Sequence, residues 1–160
     1  MLTFARAARA LALGVWLGGI VMAFIAAPVI FEKLKPDRAK AGEIVGTILH
    51  TANLVKFGLA ALALGAEVLL LVNAGGGESA GGWRRYLPGA FLVAALATTL
   101  LTVLWLEPRI AALRDQIGDF SAATENTPER AEFRKLHGAS MGLLLLEAIF
   151  VLIALVTGLL

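Results

Sequence analysis

Polar residues divide the chain into apolar stretches that are long enough to be membrane helices. Four such stretches lie at about residues 10–31, 48–72, 86–106 and 136–160. About 20 apolar residues suffice for an α-helix to cross the hydrocarbon core of a bilayer. The pattern therefore predicts an all-α fold: an integral membrane four-helix bundle with up-down-up-down topology, built as one transmembrane domain over residues 1–160.

Two of the polar connections are expected on the same side of the membrane, where they form a head at residues 32–47 and 107–135. The opposite connection carries the glycine run Gly75, Gly76 and Gly77, which is typical of a flexible turn. Pro28 and Pro108 are expected to end the first and third helices.

The second head segment has its own helical pattern. Its apolar residues recur at helical intervals and predict an amphipathic helix outside the membrane: Ile110, Leu113, Ile117 and Phe120. Thr127 followed by Pro128 is a cap and a first-turn proline, so the fourth helix is predicted to begin there.

Composition narrows the environment and the chemistry. The chain is 59% hydrophobic, 16% charged and free of cysteine, which excludes disulfides, thiolate metal sites, iron–sulfur clusters and cysteine nucleophiles. Its net charge of +2 comes from basic residues that mostly flank apolar spans, so no nucleic-acid partner is expected. The expected partner is the lipid bilayer of the cell membrane, crossed in several passes, with a homo-oligomer or a membrane partner left open.

Basic residues also suggest an orientation. Nine lysines and arginines lie in the head and four lie on the opposite side. The positive-inside rule then predicts a cytoplasmic head, although the head's acidic residues are equally numerous.

The two halves of the chain share a short pattern around the only two histidines. Leu49, His50 and Ala52 correspond to Leu136, His137 and Ala139, each run being closed by a small polar residue. The correspondence suggests two repeated helical hairpins.

Each histidine leads a polar stripe along its helix. The stripes comprise His50, Asn53, Lys56 and Glu67 on the second helix, and His137, Ser140 and Glu147 on the fourth. A charge that faces lipid costs several kcal/mol, so both stripes are predicted to face the bundle interior. Helical rise predicts an ion pair between Lys56 and Glu147, whereas Glu67 lies about 16 Å deeper than Lys56 and should approach the opposite interface.

Two readings of these residues remain open. His50 and His137, at equal depth, could ligate haem b or copper, with Met141 as a soft ligand, or could simply hydrogen-bond at the interface. The buried charges could form a proton or ion path or a structural pair.

The sequence contains no catalytic motif, so the leading prediction is a non-enzymatic protein for small-solute or ion handling or partner binding. The alternative is a membrane redox protein that uses both histidines.

Short motifs along most of the chain resemble those of a known family of small membrane proteins. They comprise Trp16, Leu17, Gly18, Gly19, Ala27, Pro28, Phe31, Ala41, Gly42 and Gly46, then Pro108, Ile110, Arg114, Phe133, Leu136, His137 and Ser140. In these positions the chain resembles the transmembrane protein 205-like family. The resemblance implies a four-helix membrane domain without an assigned chemistry. That family is distantly similar to the copper-resistance D-like group, whose copper and haem associations imply the metal or haem alternative.

Overall fold

The computed structural model describes residues 1–35, 37–73, 82–118 and 127–159. Within them the helices are α1 (Leu2–Lys33), α2 (Arg38–Asn73), α3 (Leu87–Leu101), α4 (Glu107–Ile117) and α5 (Pro128–Leu159). A 3₁₀ turn, Gly82–Tyr86, precedes α3, and a π-helical turn, Thr102–Leu106, joins α3 to α4 in one helical rod. The predicted glycine turn and Phe120 lie outside the described residues.

Among the described residues, four helical segments are long and apolar enough to cross a membrane: α1, α2, the rod Gly82–Ile117 and α5. Their polarity is arranged for lipid: on α2, Lys56 and Glu67 are buried, while Val55, Leu62 and Val68 are exposed. Apolar side chains outside and charges inside suit a hydrocarbon solvent. The chain is thus a multi-pass membrane protein with the predicted all-α fold, while the cytoplasmic position of its head stays a prediction.

The helices stand at the corners of a square. α1 packs against α2 and α5, and α3 packs against the same two helices. The most extensive packing lies within the α1–α2 and α3–α5 pairs, as expected for two hairpins. Consequently α2 and α5 face each other across a diagonal, and side chains that join them must cross the bundle interior.

Neither Pro28 nor Pro108 ends its helix, so that prediction was wrong. α1 continues through Pro28 to Lys33. The rod Gly82–Ile117, which forms the third membrane span and which we call the third rod, continues through Pro108 to Ile117. A proline within a helix leaves one backbone carbonyl without its N–H partner, and membrane helices satisfy that group by local adjustment. In the third rod that adjustment is the π turn, in which the Glu107 N–H bonds to the Thr102 carbonyl five residues earlier.

The head-side helices begin and pack as their patterns indicate. α5 begins at Pro128, and the N–H of Arg130 donates to Thr127 Oγ1 at 3.4 Å, which confirms the predicted cap. Leu113 of α4 is buried with Leu106 and Leu136. This small apolar cluster fixes α4 against α5, at the end of the bundle nearest the head.

Candidate functional site

The centre of the bundle holds an ion pair between diagonal helices. Lys56 Nζ of α2 lies 2.9 Å from Glu147 Oε1 of α5, and the two side chains are only 7% and 2% exposed. Trp16 Nε1 of α1 donates a hydrogen bond to the same carboxylate oxygen at 2.7 Å. We call Lys56–Glu147 the central pair; it connects three helices through one carboxylate.

The spacing of residues along α2 explains why a lysine reaches the interior. Asn53, Lys56, Ala60, Ala63 and Glu67 follow one another at three- or four-residue steps and are all buried. Such steps keep side chains on one face of an α-helix. The two alanines take little space, and the charges on either side of them, Lys56 and Glu67, lie at different depths of the bundle.

A polar contact extends from this row toward the head. Asn53 Nδ2 donates to Glu107 Oε1 at 2.5 Å, and His50 Nδ1 lies 3.7 Å from Glu107 Oε2. Asn53 is buried, whereas the Glu107 side chain is 30% exposed. Asn53 precedes Lys56 by about 4.5 Å of helical rise, so this contact begins less than one helical turn from the central pair on its head side.

A second buried ion pair lies toward the opposite face, where the chain termini are. Arg9 of α1 donates from Nη1 to Glu67 of α2 and from Nη2 to the carbonyl of Gly158 in the last turn of α5. The arginine thereby satisfies a carbonyl at a helix end that has no intrahelical partner. We call Arg9–Glu67 the terminal pair, and this end of the bundle the terminal face.

Two glycines make room for the terminal pair. A Cβ atom added to Gly158 would lie 2.5 Å from Arg9 Nη2 and 2.8 Å from its Cζ. A Cβ added to Gly89 of α3 would lie 3.3 Å from the Cγ of Glu67. All four bundle corners therefore contribute to the terminal pair, either a charge or a close backbone surface.

An apolar layer separates the two ion pairs. It comprises the buried residues Leu13, Ala60, Ala63, Leu92 and Val151. Lys56 and Glu67 are eleven residues apart on α2, which corresponds to about 16 Å of rise. The charges of the interior therefore form two levels, with the central pair in the middle of the bundle and the terminal pair toward the terminal face.

Both histidines are exposed, unlike the other residues of the polar stripes that they lead. His50 is exposed beside Glu107, and the exposed His137 stacks on Phe133 with ring centroids 5.9 Å apart. Ser140 and Met141 are half-buried. Among the described residues, no group of three or more histidines and acids could hold a metal ion. A shared haem b or copper site at His50, His137 and Met141 stays a prediction.

The threonines of the third rod bond to their own helix. Thr98 and Thr99 both donate to the carbonyl of Ala95, at 2.7 and 3.1 Å, and Thr102 donates to the carbonyl of Thr98 at 3.0 Å. Their hydroxyl protons are therefore engaged within the helix.

Three partners of the buried polar residues were not identified from the sequence: Arg9, Trp16 and Glu107. Arg9 and Glu107 lie at the ends of apolar runs, where a charge usually faces the headgroups. Trp16 reads as an ordinary apolar side chain. A usable signal did exist, because Arg9 and Trp16 are seven residues apart and therefore share a face of α1 with the core residues Leu13 and Ile20.

The tight contact at Gly158 gives a direct prediction. Gly158→Ala should displace the Arg9 guanidinium from its two acceptors and cost roughly 1–3 kcal/mol of folding free energy. Gly142→Ala is the matched control on the same helix, because an added Cβ there meets no atom within 4 Å. The control should be neutral, or stabilising by up to about 1 kcal/mol, since alanine favours the helix. Unfolding of both variants in detergent measures the difference; equal effects would contradict the contact.

Comparisons with known proteins give a family but no function. No curated protein and no solved structure matches the chain significantly. One family model, described as a domain of unknown function (DUF4149), matches residues 11–119, a range that includes Lys56, Glu67 and Glu107. Because this match covers more than half of the sequence, the chain belongs to the DUF4149 family.

Proposed function

We propose that this membrane protein is non-enzymatic and handles ions, with the central pair as the group that binds and releases a proton. The observation that carries the proposal is the direct contact between Lys56 and Glu147 inside a bundle whose outer surface is apolar. We also propose, from its sequence motifs, that the chain belongs with the transmembrane protein 205-like proteins. That resemblance implies no chemistry, so the function is argued from the site.

The free-energy cost of burying two charges favours a functional role for the central pair. Replacing a buried ion pair by well-packed apolar residues is often neutral or stabilising, so such a pair is weak evidence of a structural need. Ionisable residues within membrane spans are functional candidates by default. A pair that only fixes α2 to α5 is the competing explanation, and the experiment below separates the two.

The geometry suits a proton better than a larger solute. Lys56 Nζ and Trp16 Nε1 both contact Glu147 Oε1 directly, which leaves no space for a solute between these groups. The groove between α1 and α2 has an apolar lining and includes neither charge. A proton that binds to the Glu147 carboxylate weakens its attraction to Lys56 and raises the charge of the pair from zero to one. Its release restores the ion pair.

Proton flux into liposomes tests this function. The full chain is reconstituted with a pH-sensitive dye in the lumen, and a membrane potential is imposed with potassium and valinomycin. The protein should accelerate the change in lumen pH, and the double variant Lys56→Met/Glu147→Leu should reduce the rate to that of protein-free liposomes.

The matched control removes an ion pair that lies outside the bundle interior. Lys35 Nζ and Glu32 Oε1 are 2.6 Å apart, and both side chains are exposed. Glu32→Leu/Lys35→Met should therefore keep the flux of the unchanged protein. The proposal is wrong if the unchanged protein is no faster than protein-free liposomes, or if the central double variant is as fast as the unchanged protein.

A further inference from the structure

The two sides of the central pair differ in the groups that lie next to it. Toward the head, the contact between the buried Asn53 and the partly exposed Glu107 begins less than one helical turn from Lys56. Toward the termini, the apolar layer comes first and the terminal pair follows. Polar groups therefore lie nearer to the central pair on its head side than on its terminal side, where the apolar layer and the terminal pair separate it from the terminal face.

The terminal pair is placed to make that closure. Its charges come from the first helical turns of α1 after the N-terminus and from the last turns of α2, and Arg9 also holds the last turn of α5. Gly89, near the start of α3, lies against Glu67. The pair thus joins the terminal ends of all four bundle corners at one point.

The same pair has the properties of a contact that can open. Glu67 and Arg9 are both buried when paired. However, an arginine near a membrane interface can extend its guanidinium group into water while the methylene groups of its side chain stay among apolar groups. When Arg9 and Glu67 separate, the ion pair is lost and the guanidinium is hydrated at the interface instead. The terminal pair then has two discrete arrangements, closed and open.

We propose that the terminal pair, Arg9–Glu67, is a gate that closes the terminal side of the bundle and keeps water from the apolar layer and the central pair. As a step in ion handling this inference rests on the proposed function. Arg9 and Glu67 act as positioning residues: they hold the ends of the helices together and do not carry the proton.

Labelling of a single cysteine tests the gate. The chain contains no cysteine, so Ala63→Cys places one thiol in the apolar layer, one helical turn from Glu67, at a position that is fully buried. In purified full-length protein in detergent, a water-soluble thiol reagent should leave this cysteine unlabelled. Adding Arg9→Met should raise its labelling to that of Val72→Cys, a highly exposed position on the same helix.

Two further variants guard against mere unfolding. Gly158→Ala displaces the arginine without removing a charge and should also permit labelling of Ala63→Cys. Arg6→Met, which removes an exposed arginine of α1, should not. Circular dichroism and a monodisperse elution profile establish that each variant remains folded.

Labelling of Ala63→Cys in the unchanged background, or its continued protection in folded Arg9→Met and Gly158→Ala, would overturn the gate. These readouts need no ion flux. Labelling as expected together with an inert protein in liposomes would therefore refute the proposed function alone, whereas flux with a persistently protected cysteine would refute the gate alone.

Discussion

Replacing Lys56 by methionine is expected to destabilise the bundle by roughly 3–5 kcal/mol, because the change leaves the Glu147 carboxylate uncompensated in a low-dielectric interior. Glu147→Leu should cost a similar amount, because it removes the partner of Lys56 and the acceptor of the Trp16 N–H. The double variant should recover much of the loss, since neither charge of the central pair is left buried without its partner. Thermal or denaturant unfolding in detergent measures all three.

The double variant decides how this experiment is interpreted. A loss equal to the sum of the two single losses would show that Lys56 and Glu147 do not interact. Lys35→Met/Glu32→Leu, at the exposed pair, should change the stability by less than about 1 kcal/mol and controls for charge removal alone. A stable central double variant is also the protein that the flux measurement requires.

At the terminal pair, the single variants Arg9→Met and Glu67→Leu are expected to lose unequal amounts of folding free energy. Arg9→Met should cost roughly 3–5 kcal/mol, because Glu67 stays buried without its cation and the Gly158 carbonyl loses its donor. Glu67→Leu should cost less, about 1–3 kcal/mol, because the long arginine side chain can reach water at the interface.

Denaturation in detergent, with Arg6→Met as the control, measures this difference. Arg6 is exposed on the same helix, so its replacement should have little effect. Equal losses for Arg9→Met and Glu67→Leu would contradict this prediction, because they would mean that Arg9 is as confined as Glu67.

Regular helical spacing accounts for what the sequence could predict. The central pair lies on two long helices whose polar stripes start at corresponding histidines. Rise per residue therefore predicts that Lys56 and Glu147 differ in depth by about 6 Å, an offset that a lysine side chain spans. The apolar runs likewise specified four membrane helices, because length and hydrophobicity suffice for that conclusion. Neither inference needed knowledge of how the helices pack.

Predictions failed or were incomplete where packing or an irregular turn decides the outcome. The partner of Glu67 depends on how the ends of α1 and α5 meet, and Gly158 contributes through an absent side chain, which has no hydropathy signal. The position of Glu107 beside Asn53 depends on the π turn, whose wider turn changes the phase of every later residue in that rod. A pattern with a constant period of 3.6 residues cannot anticipate that change.

The proposed function depends on one step: Glu147, held by Lys56, binds and releases a proton within the membrane. Infrared difference spectra of the full chain in lipid, recorded as the bulk pH is lowered in steps, test it directly. We expect the carbonyl band of a protonated carboxyl group to appear in the unchanged protein and the corresponding component to be missing from Glu147→Gln, with the helical amide band unaltered in both. Identical difference spectra from the two proteins would contradict the claim.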